Sequence, residues 1–376
     1  MGRNDQLAIT SQVGVGCDDK SSSHPYTERM NRSSVREVKN PPNPWAKTDV
    51  AYDLGDVPHT RLDVYEDHTR NIVSRNDSPD LGFRWSVNPY RGCFHGCAYC
   101  YARPTHEYLS FGAGSDFERK IVIKPEAAAL LREAFEMRSW KGEVIVFSGN
   151  TDCYQPLEAS YGLTRGMLEA CLEYKNPVGI ITKSPVIERD VALLVDLSRV
   201  TSVTVVISIP FWQPEHAKAL EPFVTTPVRR MRIIERLAAA GIRTGIHVAP
   251  IVPGLNEGEM LPLLAAAARA GAQFAGHSLL RLPGSVKEVF EARIRESLPL
   301  RAERILRRIR EMHDGKLYRP EFGVRQRGSG PYAEMIHLAF DAAAQKAGLA
   351  TGKRAEVSAI TFQRPGQKRQ LSLFPA

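Results

Sequence analysis

Between residues 84 and 300 the chain alternates short β-branched runs with longer amphipathic stretches, and this alternation restricts its fold more than any other feature. Candidate strands fall at residues 84–90, 144–148, 178–182, 203–209, 244–251 and 274–282. Helical periodicity fills intervals at 125–137, 161–174, 188–197, 227–240 and 257–270. The fourth of these has Thr226 as its N-cap, Pro227 at its first position and Gly241 as its stop. Repeated strand, crossover helix and strand imply a parallel sheet. Eight such units would close a full barrel, and six a partial one. Either places chemistry at the C-terminal ends of the strands.

With 376 residues and 43% hydrophobic content, the chain is long enough for one large α/β domain with extensions. Residues 1–57 are rich in Ser, Asn, Pro and charge without an apolar period, so a largely irregular tail is expected there. A strand-rich lead-in and core follow over 58–300, then a helical extension over 301–350 and a flexible basic tail over 351–376. The chain starts with polar residues, and no apolar run approaches the roughly 18 residues that cross a bilayer. A cytoplasmic protein with reduced thiols and no membrane contact is expected. Lys and Arg exceed Asp and Glu by 50 to 42, a net of +8, which admits an acidic partner such as nucleic acid. A helix-like run at 300–312 carries Arg301, Arg304, Arg307, Arg308 and Arg310 around Ile305, Ile309 and Met312. It reads as solvated basic surface or as a nucleic-acid contact.

Half of the six cysteines lie within eight residues, in the run Asn88-Pro-Tyr-Arg-Gly-Cys-Phe-His-Gly-Cys-Ala-Tyr-Cys-Tyr-Ala-Arg103. Cys93, Cys97 and Cys100 form a C-x3-C-x2-C spacing on a glycine-containing loop. Three thiolates so placed suit a four-iron cluster that keeps one iron free of protein. A zinc knuckle completed by His95, Cys153 or Cys171, or a disulfide set, is the alternative.

The cysteine pattern, with Tyr99 directly before the last cysteine, resembles the signature of the radical S-adenosylmethionine (SAM) superfamily. The resemblance implies a partial (β/α)6 TIM-type barrel. It also implies a [4Fe-4S] cluster on Cys93, Cys97 and Cys100, with SAM chelated at the free iron. A low-potential electron donor would reduce the cluster, and reductive cleavage of SAM would give a 5'-deoxyadenosyl radical.

The strand ends carry groups that match SAM contacts in that superfamily. After the second strand comes Ser148-Gly-Asn-Thr-Asp-Cys-Tyr-Gln-Pro-Leu-Glu158, in which Asn150, Thr151 and Asp152 offer oxygens to an ammonium. Lys183 follows the third strand and Ser208 ends the fourth, suited to a carboxylate or a ribose. Tyr99 joins this cofactor-binding set, and 248–256 resembles the segment beside which adenine packs.

More closely, Ser74-Arg-Asn-Asp-Ser-Pro-Asp80, the cysteine loop, Cys100-Tyr-Ala-Arg-Pro104 and Thr151-Asp-x-Tyr-Gln-Pro156 resemble bacterial radical SAM proteins grouped with spore photoproduct lyase and loosely called DNA repair photolyases. DNA is the substrate that this grouping implies, with a lyase-like repair reaction. Modification of RNA, protein or a metabolite is the alternative, as is a non-catalytic cluster protein. At the position aligned with the hydrogen-donating cysteine of spore photoproduct lyase stands Gly149. Cys153, Tyr101 and Tyr154 are candidates for hydrogen transfer in its place. The tail residues Gln370, Leu371, Leu373 and Phe374 resemble the short motif by which bacterial proteins dock on the polymerase sliding clamp.

Overall fold

The computed structural model describes residues 62–352 and 361–366. Its strands are β1 (Asp63–Glu66), β2 (Val73–Arg75), β3 (Trp85–Val87), β4 (Tyr90–Arg91), β5 (Lys120–Ile123), β6 (Ile145–Phe147), β7 (Val178–Thr182), β8 (Val203–Ser208), β9 (Arg243–Ile251) and β10 (Phe274–Leu279). Seven of them form one sheet in the order β10-β9-β8-β7-β6-β3-β2. All pairs from β3 to β10 in this order are parallel, and β2 joins β3 antiparallel. Each of the six expected strands is present. The edges β10 and β2 do not pair with each other among the described residues, so the sheet is a partial (β/α)6 barrel.

Alternation along the strands separates its two faces. Ile145, Ile180, Val205, Ile207, Ile246 and Val248 are enclosed in the main core, against the crossover helices. Their neighbours Ser86, Ile181, Val206 and His247 face the other way and are only half-buried. Register sets Ile181 beside Val206 and His247 beside both Ser208 and Gly276. The inner face is thus a concave trough, polar toward the C-terminal strand ends.

The helices stop and start where their caps dictate. Thr226 Oγ1 accepts from Arg229 N at 3.2 Å, Pro227 opens the helix Pro227–Ala239, and Gly241 leaves it at φ +78°, which suits glycine. Helix Pro299–Glu311 buries Ala302, Ile305, Leu306 and Ile309 and turns Arg301, Arg304, Arg307 and Arg310 to solvent. Helices Pro214–Leu220 and Val286–Ser297 and a second sheet, ordered β1-β5-β4, were not foreseen from the periodicity.

Residues 313–330 run between helices Pro299–Glu311 and Pro331–Lys346 and strap the open side of the barrel. At one edge Leu279 N donates to Gln326 O at 2.9 Å. Beside the other edge, Arg325 Nε and Gly323 N donate to Asp80 at 2.6 and 2.7 Å. Asp80 closes the Ser74-Arg-Asn-Asp-Ser-Pro-Asp80 segment, whose Asn76 folds the turn between β2 and β3 by donating to Phe83 O at 2.9 Å.

Part of the tail expected to be flexible is held on the outer surface. Phe362 lies against Tyr174 and Phe135, and Arg364 Nε donates to Phe135 O at 3.0 Å. Segment 1–57, expected from the sequence to be irregular, and the motif at 370–374 lie outside the described residues. Among the described residues no helix is long and apolar enough to cross a membrane.

Candidate functional site

The cysteine loop leaves β4 and is folded by its own backbone before any metal is considered. Gly92 and Gly96 turn at φ +78° and +64°. A Cβ on Gly92 would come within 2.9 Å of Phe117 O, so the chain passes there only as glycine. Cys93 N donates to Phe117 O at 2.9 Å, Ala98 N to Leu220 O at 2.9 Å and Cys100 N to Cys97 O at 3.2 Å. Arg103, fully buried, staples the loop from within. Its Nε donates to Cys97 O, Nη2 to Gly96 O and Nη1 to Ala113 O, all at 2.9–3.0 Å, and Nη2 also meets Glu118 Oε1 at 2.6 Å. Sequence reasoning quoted Arg103 inside a motif and gave it no role. Its count of five donors against loop carbonyls was the available signal.

Cys93 and Cys97 are buried and Cys100 is half-buried. Burial pushes the Cys93 thiol well above its ordinary pKa, with Asp152 and then Cys97 and Cys100 adding to the shift. Burial, then Glu221, pushes Cys97 up to about 12. Cys93 and Cys97 therefore favour the protonated thiol until a metal displaces the proton. Among the described residues no three His, Cys, Asp or Glu side chains close tightly enough to hold a single ion. The three candidates for a zinc knuckle's fourth ligand are engaged elsewhere: His95 Nδ1 faces Asp152 Oδ2 at 3.4 Å, and Cys153 and Cys171 lie in the main core. Three neighbouring thiols without a fourth donor form a set suited to a cluster with one open iron.

The strand tips bring the next groups to this loop. Lys183 Nζ donates to Ser208 Oγ at 3.0 Å and lies 5.8 Å from the Tyr99 ring centroid. The Tyr99 hydroxyl donates to Glu221, which also accepts from Arg230 Nη2 at 2.6 Å. Arg230 is fully buried, and its Nη1 donates to Ser208 O at 2.9 Å. One network therefore links the cysteine loop to β8. Burial holds Tyr99 well above an ordinary phenol, and Cys97 and Glu221 add to this.

Asp152 is engaged by its own chain. Its Oδ1 accepts from Tyr154 N at 2.9 Å and Thr182 Oγ1 at 2.7 Å, and Oδ2 accepts from Lys183 N at 2.8 Å and faces His95. A carboxylate offers about four lone-pair sites, and here three accept hydrogen bonds from the protein while His95 stands near the fourth. Its neighbours are freer: Thr151 Oγ1 is buried with no partner among the described residues, and Asn150 is half-buried on the same loop.

Two hydrogen-transfer candidates are placed elsewhere. Cys153 is fully buried in the main core, and Tyr154 turns its hydroxyl to Asp190 Oδ2 at 3.1 Å, in the same core. Tyr101 alone of the three is exposed, at 43%, and its hydroxyl donates to Gly149 O at 2.9 Å. A Cβ at Gly149 would stand 3.0 Å from the Ser86 side chain.

The sequence model of the Radical SAM superfamily matches residues 87–267. The chain is 37% identical over 242 residues to an uncharacterized protein of Mycobacterium tuberculosis, covering 64% of this chain and 70% of that one. It is 27% identical over 203 residues to an uncharacterized protein of Methanocaldococcus jannaschii, covering 54% and 73%. Among solved structures, spore photoproduct lyase with bound AdoMet and dinucleoside spore photoproduct superposes with a TM-score of 0.53 at 16% identity, over 75% of this chain and 78% of that one. A variant of the same lyase reaches 0.56 over 76% and 80%, also at 16% identity. At such identity these two show a shared fold. The chain belongs to the radical SAM superfamily, whose enzymes use a [4Fe-4S] cluster and S-adenosylmethionine.

Proposed function

We propose that this enzyme acts on DNA in a lesion-repair reaction of lyase type, with Cys93, Cys97 and Cys100 holding the cluster. The observation that carries the cofactor site is the Lys183 ammonium, which meets no carboxylate among the described residues, is tethered to Ser208 Oγ and stands beside the Tyr99 ring. When bound, the cluster and SAM supply one-electron cleavage and a carbon radical that abstracts hydrogen. The residues do the positioning. Lys183 neutralises the SAM carboxylate, with Ser208 orienting the ammonium by its hydroxyl. Asn150 and the unpartnered Thr151 hydroxyl receive the SAM amino group. Asp152 acts as a bracket that fixes Lys183, Thr182 and His95, and Arg103 keeps the thiol loop closed. Tyr101, at the exposed rim, is the hydrogen-transfer candidate; Cys153 and Tyr154 serve the core.

The DNA substrate is supported by the net charge of +8, by the outward arginines of helix Pro299–Glu311 and by the fold shared with a lyase solved with a dinucleoside lesion. The motif Gln370-Leu-Ser-Leu-Phe374 supports delivery by the polymerase sliding clamp. A low-potential donor in the cytoplasm would reduce the cluster. The test uses reconstituted, dithionite-reduced protein with SAM and ultraviolet-irradiated DNA, with nucleosides followed by mass spectrometry. Loss of one lesion class is expected, and unchanged lesions beside altered RNA or peptide would overturn the DNA reading. Removal of residues 370–376 should abolish clamp binding, and a full-length protein that binds no clamp would end that proposal.

A further inference from the structure

One cation at the mouth of the trough takes part in none of these contacts. Arg281 stands two residues past β10, where Leu280 N donates to Ile251 O at 2.9 Å and fixes the strand tip. Its guanidinium carbon lies 4.2 Å from the Tyr101 ring centroid, and its Nε is buried with no hydrogen-bond partner. Other arginines that reach this end of the barrel meet carboxylates: Arg103 meets Glu118, Arg230 meets Glu221 and Arg325 meets Asp80. Arg281 meets none among the described residues. Asp80 acts on this guanidinium electrostatically without forming an ion pair with it. A half-enclosed charge with no carboxylate in contact is costly, and an anionic ligand offsets that cost. The stack on Tyr101 fixes the guanidinium plane, and a planar fork in fixed orientation suits the paired oxygens of a phosphate. Tyr101 is itself pinned to Gly149 O at 2.9 Å, so the cation stands on the rim that leads from solvent to the cysteine loop. Arg281 and the Cys100 thiol are close enough to influence one another electrostatically.

We infer that Arg281 is the anchor for a phosphodiester of the substrate and sets which nucleotide lies across Tyr101. Naming the anion as a phosphodiester rests on the DNA reading; the anion site itself rests on the geometry of Arg281.

The test uses full-length, anaerobically reconstituted protein and two probes, inorganic phosphate followed by calorimetry and a fluorescein-labelled single-stranded DNA dodecamer followed by anisotropy across a salt series. Arg281→Gln should weaken both about tenfold and flatten the logarithmic salt dependence of DNA binding by about one. Arg281→Lys, which keeps the charge and loses the fork, should fall between wild type and the Gln variant. Should Arg281→Gln fail to load iron, the Lys variant carries the comparison. Equal affinities of all three proteins for both probes, or no binding of either probe to wild type, would overturn the inference. A loss of SAM affinity as large as the loss of DNA affinity would put the guanidinium on the SAM carboxylate and overturn it as well. Phosphate binding that depends on Arg281 in a wild type that ignores DNA would uphold the anion site while the DNA reading fails.

Discussion

Lys183 Nζ donates to Ser208 Oγ at 3.0 Å, and this bond ties the C-terminal tips of β7 and β8 beside the Tyr99 ring. The lysine is held from behind as well, because Asp152 accepts from its backbone N at 2.8 Å and from the Thr182 hydroxyl at 2.7 Å. An ammonium so restrained, beside the cysteine loop and facing no carboxylate among the described residues, is set to receive an anion without reorganising.

Lys183→Met keeps the length of the side chain and removes its charge. SAM affinity of the reconstituted protein should fall at least about tenfold, the scale of one charge-assisted hydrogen bond, while iron content stays that of wild type. Equilibrium dialysis checks this, and undiminished affinity would remove Lys183 from the cofactor site.

Glu221 joins two buried partners, the Tyr99 hydroxyl and Arg230. Glu221→Gln leaves the Arg230 charge buried without compensation, which should cost about 3–5 kcal/mol of stability. Urea unfolding of the cluster-free protein measures it. A loss below about 1 kcal/mol would show that the network contributes little.

The strap is fastened by Asp80. Burial tends to raise its pKa, but the Gly323 N–H and the Arg325 guanidinium outweigh this and hold the carboxyl below the ordinary range. Asp80→Asn should make trypsin cleavage within residues 313–330 about tenfold faster, since cleavage follows the population of the open form. An unchanged cleavage rate would mean that the strap is held by its other contacts.

His277 donates to or accepts from His337 at 2.7 Å on the outer face of β10. Burial, then His337, His247 and Arg327, lowers its pKa to about 3, so the imidazole stays neutral in the fold. Unfolded chains take up this proton near pH 6.5. The stabilising contribution is therefore complete above about pH 6.5 and is lost progressively as pH falls from there toward 3. His277→Gln should remove roughly 1–2 kcal/mol of the stability lost between pH 6.5 and 5. Denaturant titrations at the two pH values test this, and parallel slopes for variant and wild type would contradict it.

The parallel strands were legible because β-branched runs such as 178–182 and 203–208 are continuous and bounded by helices with plain caps. β1, β4 and β5 are at most four residues long and derive their pairing from distant segments, which a local pattern does not carry. Spacing and strand-end position were enough to single out the cysteines, Lys183 and Ser208 as candidates, and the fold brings Lys183 and Ser208 together. Arg103, Glu221 and Arg230 were not, since their role lies in contacts such as Arg230 with Ser208 O, 22 residues apart. Asp152 and Cys153 are offered by the sequence as cofactor and hydrogen-transfer groups, and the fold gives both side chains protein surroundings of their own. A loop dense in polar groups discloses what it offers, while the structure decides which of those groups the protein itself consumes.

The most direct measurement is anaerobic. Wild type and Cys97→Ala are reconstituted with iron and sulfide, reduced with dithionite and given SAM, and 5'-deoxyadenosine and methionine are quantified. Both products should form in wild type and neither in the variant, whose visible cluster absorption should also be lost. A wild type with a full, reducible cluster that releases no 5'-deoxyadenosine, or a Cys97→Ala protein that releases it undiminished, would contradict the assignment of these cysteines and of the chemistry they support.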